Sequence, residues 1–133
     1  MSRFRSTVSL VVAAFVAGLV VAPLVAQAAP SQNVKTMAGI LAGMNHFASD
    51  AQKRTLEDIA DSDTATPAEK QIASAMAAVQ HTAPEANRAA LQALAVDTDE
   101  PDGVRVLAGA LAAMNHTVSG VEKKILERIA AGS

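Results

Sequence analysis

The chain has 133 residues, a formal charge of -2, hydrophobic residues at 50%, aromatics at 2% and no cysteine. That length fits one domain, and the absence of cysteine excludes disulfide scaffolds, thiolate metal sites and thiol chemistry. With no Trp or Tyr and a near-neutral charge, the chain lacks the stacking platforms and basic excess that nucleic-acid binding requires.

At the N-terminus, Arg3 and Arg5 precede an apolar run from Val8 to Ala22, and Ala26-Gln27-Ala28 forms a small-x-small site. This is the pattern of a signal peptide. Cleavage is expected after Ala28, giving residues 1–28 as leader and 29–133 as a single helical domain, secreted or periplasmic and free of the membrane. The mature chain then keeps nine basic against 13 acidic residues, holds 24 alanines and has Phe47 as its sole aromatic. Alanine favours helix but buries little surface, so the helices have to approach one another closely.

From residue 31 onward the chain repeats. His46, His81 and His116 are spaced by 35, and their surroundings align without gaps as VKTMAGILAGMNHFASDAQKRTLEDIA from Val34, EKQIASAMAAVQHTAPEANRAALQALA from Glu69 and VRVLAGALAAMNHTVSGVEKKILERIA from Val104. The first and third copies agree at 14 of 27 positions. The repeats span about 31–65, 66–100 and 101–133.

Within each copy, two helical patterns follow one another. Val34, Met37, Ala38, Leu41 and Met44 carry the i, i+3, i+4, i+7 spacing of an amphipathic helix, matched by Ile72, Ala73, Met76 and Val79 and by Leu107, Ala108, Leu111 and Met114. Ala51, Thr55, Leu56 and Ile59, with Val121, Ile125, Leu126 and Ile129 in the third copy, mark a second amphipathic helix. Starts are signalled by Ser49 with Gln52, by Thr66-Pro67-Ala68-Glu69, by Thr82-Ala83-Pro84-Glu85 and by Ser119 with Glu122, each a capping oxygen followed by an acid or amide. Paired helices are then joined by only two or three residues, which implies antiparallel hairpins. Acidic links at 61–65 and 97–103 connect the hairpins. The expected fold class is all-α: three tandem 35-residue helix-hairpin repeats, six helices in all, forming a short α-solenoid. A compact pseudo-threefold helical bundle is the alternative.

Two sets of residues recur in every copy. Ala38, Ala42, Ala73, Ala77, Ala108 and Ala112 form a small-residue stripe along the first helices, expected to be a packing contact. His46, His81 and His116 end that stripe, where each imidazole can serve its own helix terminus or act as a ligand for Cu, Zn or Ni. All three histidines can converge only in the pseudo-threefold arrangement. Met44 and Met114 offer soft sulfur suited to Cu(I), although their alignment with Val79 marks them as core. No nucleophile elbow, P-loop or dinucleotide fingerprint occurs. The leading expectation is a non-enzymatic exported repeat protein, structural or binding a protein or peptide partner without a cofactor. The alternative is a periplasmic transition-metal binder built on the three histidines.

Overall fold

The structure is a computed structural model that describes residues 29–133; the expected signal peptide at 1–28 lies outside the described residues. Helix starts follow the cap chemistry. Ser31 Oγ accepts the Val34 N–H at 3.1 Å and opens α1 (Gln32–Gly43). Reciprocal capping boxes open α2 (Asp50–Asp61) at Ser49 and Gln52, α3 (Pro67–Ala77) at Thr66 and Glu69, and α6 (Gly120–Ala130) at Ser119 and Glu122. The two remaining helices, α4 (Glu85–Val96) and α5 (Asp102–Ala113), begin after Pro84 and Pro101, with no side-chain cap. The expected cap at Thr82 is therefore absent: position 84 is the repeat equivalent of Ser49 and Ser119, and a proline there has no oxygen to offer.

The all-α, six-helix reading holds, but the helices pair differently from the expected hairpins. The links from α1 to α2, α3 to α4 and α5 to α6 cover residues 44–49, 78–84 and 114–119, not two or three residues. Helices joined by these links touch little. The extensive pairings are α2 with α3, α4 with α5, and α1 with α6, so each second helix packs on the first helix of the following repeat and the last helix packs on the first. Helices α1, α3 and α5 also touch one another pairwise. Of the two arrangements open to the repeat, these contacts are those of the closed pseudo-threefold bundle.

The three inner helices run parallel. At one end, the Glu69 carboxylate near the start of α3 receives the Ser31 hydroxyl and, at 3.2 Å, the Asn33 amide from the start of α1. At the other end, the backbones that follow α1, α3 and α5 bond to one another at the histidines. Between these ends the inner helices stack equivalent side chains: Met37, Ile72 and Leu107, then Leu41, Met76 and Leu111, all fully buried. Leu56, Leu91 and Leu126 anchor the outer helices, also at 0% exposure. Ala38, Ala73 and Ala108 are sealed between helices, Ala42 is buried, and Ala77 and Ala112 are partly buried. Approach is closest at Gly103, where an added Cβ would come 2.9 Å from Val34 Cγ1, while at Gly39 and Gly109 it would meet Ala130 at 3.7 Å and Ala95 at 3.5 Å, ordinary contact distances.

The outer helices bury less than their pattern suggests. Leu56, Ile59, Leu126 and Ile129 are buried, whereas Ala51 and Thr55 are exposed and Val121 and Ile125 are 72% and 37% exposed. An outer helix leans on one inner neighbour and so hides a narrow stripe. Among the described residues, no helix is long and apolar enough to cross a membrane.

Candidate metal centre

Each inner helix stops short of its histidine. Met44 and Met114 take extended backbone angles directly after α1 and α5, so His46, His81 and His116 stand in the links and not in a last helical turn. All three adopt positive φ, at 70°, 74° and 65°. Around His46 the Phe47 N–H donates to the Asn45 carbonyl at 2.9 Å, and around His116 the Thr117 N–H donates to the Asn115 carbonyl at 2.8 Å. A three-residue turn with positive φ at its centre is the rare, strained form of the γ-turn.

A closed cycle of backbone hydrogen bonds holds the three turns together. The His46 N–H donates to the His116 carbonyl at 2.8 Å, the His116 N–H to the His81 carbonyl at 2.7 Å, and the His81 N–H to the His46 carbonyl at 2.9 Å. These groups would otherwise be stranded beyond the helix ends, where an unpaired donor or acceptor is costly. The cycle sits where the three inner helices meet, and it fixes the origin of each imidazole.

The rings gather beside this cycle. Their centroids are 5.2, 5.1 and 5.1 Å apart with interplanar angles of 85°, 68° and 60°. One nitrogen from each ring can be chosen so that all lie within 4.8 Å of one another. A tetrahedral ion bound at about 2.0–2.1 Å needs nitrogens about 3.3 Å apart. The rings have only to turn inward by an ångström or so, and His81 and His116 are exposed and His46 half-buried, which leaves them free to do it. Three converging imidazoles provide the donor count of an open three-histidine site.

The methionines stand elsewhere. Met44 and Met114 are 3% exposed and belong to the hydrophobic core with Val79, as their alignment with valine suggested, leaving nitrogen as the donor at the surface. The sequence had shown that the histidines are equivalent, but not that they leave the helix; nothing in Asn-His or Gln-His marks a left-handed backbone. Two further features bear on the ends of the bundle. Glu69 ties α1 to α3, and Lys53, Arg88 and Lys123 share one repeat position, a pattern visible when the 35-residue period is carried into the second helices.

Searched against protein families, curated proteins and solved structures, the chain matches none of them.

Proposed function

We propose that this is an exported transition-metal binder that holds one Zn, Cu or Ni ion on His46, His81 and His116. The observation that carries it is the convergence of three imidazoles from three strained backbone positions. Glycine adopts positive φ without penalty, yet histidine occupies all three places, so a packing requirement alone gives no reason for the choice. A neutral imidazole set suits these borderline ions, and coordination would compete with protons, so affinity should fall on acidification. The competing expectation of a protein- or peptide-binding surface along an open stack draws no support from a ring closed by α1 and α6.

Calorimetric titration of the protein with Zn, Cu and Ni tests the proposal. One ion per chain is expected, with binding lost in His46→Ala and in His116→Ala while both variants keep their helicity. Absence of saturable binding, or equal binding by the variants, would overturn it.

A further inference from the structure

Building on the metal site proposed above, we infer that its ion completes its coordination with an oxygen of a small anion taken from solution, a carboxylate or a phosphate, drawn in by Lys53, Arg88 and Lys123. Three imidazoles leave a tetrahedral ion one open position. The exposure of His81 and His116 directs that position toward solvent.

The surroundings favour negative charge. The second helices start directly after the histidine links, so the N-termini of α2, α4 and α6, with their partial positive charge, lie at this end of the molecule. Four residues into each helix stands a cation: Lys53, Arg88 or Lys123. Lys123 lines a hollow with Met44 and Asn45, the two residues before His46, and with Thr117, the residue after His116. The Lys53 ammonium lies 5.9 Å from the ring centre of Phe47, the neighbour of His46. The Arg88 guanidinium spends one nitrogen on Glu85 at 3.0 Å, while its buried Nε has no hydrogen-bond partner.

Acids at this end are few and mostly engaged. Glu85 holds Arg88, Glu122 accepts the Ser119 N–H at 2.9 Å in its capping box, and Asp50 is the third. Arg54 and Lys124 add further positive charge. The opposite end carries Asp63, Asp97, Asp99 and Glu100 in its helix links, with Asp61 and Asp102 at the adjoining helix ends. Lys35, Lys70, Arg105 and Arg128 stand at that end too, but acids outnumber them there, whereas around the histidines Lys53, Arg54, Arg88, Lys123 and Lys124 outnumber Asp50, Glu85 and Glu122, an arrangement that concentrates anions at the histidine end.

The Co(II)-loaded protein provides the test, because cobalt's visible absorption reports on its ligands. Acetate and inorganic phosphate, titrated separately, are each expected to change that spectrum saturably if carboxylate and phosphate oxygens serve alike; a response to one alone identifies the source. Lys53→Gln combined with Lys123→Gln should leave Co(II) affinity within about threefold and weaken the anion by about tenfold, since each lost charge acts through partly screened solvent. The two single variants, with smaller effects in the same direction, serve if the double variant loses helicity. A Co(II) spectrum that neither anion alters, or equal anion affinity in the lysine variants, would overturn the inference while leaving the metal site standing. Absence of any Co(II) spectrum would remove both.

Discussion

Three histidines carry a cost that glycine would avoid. An L-residue at positive φ is disfavoured by about 1 kcal/mol or more, and the chain accepts this at residues 46, 81 and 116. If the imidazoles are there for a ligand, folding stability and ligand binding should separate on substitution. His81→Gly is expected to leave stability unchanged or raise it by up to about 1 kcal/mol while metal-induced stabilisation disappears; thermal melts with and without Zn measure both. A large loss of stability in this variant would make the ring itself a structural post. Small residues in the helices pose the opposite case. Gly39 is helical, and a methyl there would meet Ala130 at an ordinary 3.7 Å, so Gly39→Ala should gain about 0.5–1 kcal/mol from helix propensity. Ala108 has no exposure, and Ala108→Leu should cost about 1–3 kcal/mol by forcing α5 away from its neighbours. Urea denaturation of the two variants checks both signs.

At the level of elements, the starts were legible and the pairing was not. A capping residue acts on N–H groups three positions away, so Ser49, Thr66 and Ser119 could be recognised in the sequence. Thr82 misled because the repeat places Pro84, not Thr82, at the cap. Links 44–49, 78–84 and 114–119 looked short because their residues continue the helical pattern; the histidine in each link bonds its backbone to another repeat, a partner that local sequence does not encode. Glu69 has the same character. Among equivalents Val34 and Val104, it is the single acid, and it is 4% exposed. Burial alone would raise its pKa, but the Ser31 hydroxyl, the Thr66 N–H and the Asn33 amide outweigh this and hold the pKa below the ordinary carboxylate value. The ionised form therefore stabilises the folded chain above the unfolded pKa, and this contribution is lost as pH falls through the depressed folded value. Glu69→Gln is expected to be less stable at neutral pH by about 1–3 kcal/mol, because its amide presents a donor to donors. It should also lose less stability than the parent between about pH 5 and pH 3. Equal acid sensitivity of the two proteins would show that Glu69 does not join α1 to α3 in this way.

For the whole molecule, closure is the decisive property. The contact of α6 with α1 is the third member of a set that includes α2 with α3 and α4 with α5, and it differs only in lacking a chain link. A circular permutant that joins Ser133 to Ser31 by a short linker and opens the chain within 62–65 should therefore fold, melt in one transition and bind metal as the parent does. Stepwise melting would mean that the repeats are stacked units and not a ring. The six helices, the three-copy period and most of the core could be read from Met37, Leu41, Leu56 and their equivalents. Closure could not, because an apolar stripe marks the face a helix buries but not which helix covers it. Closure is nevertheless what brings His46 to His116 across the length of the chain. X-ray absorption of the zinc-loaded protein tests that union directly. Three imidazole nitrogens at about 2.0–2.1 Å are the expected result; a zinc shell with one imidazole or none would contradict it.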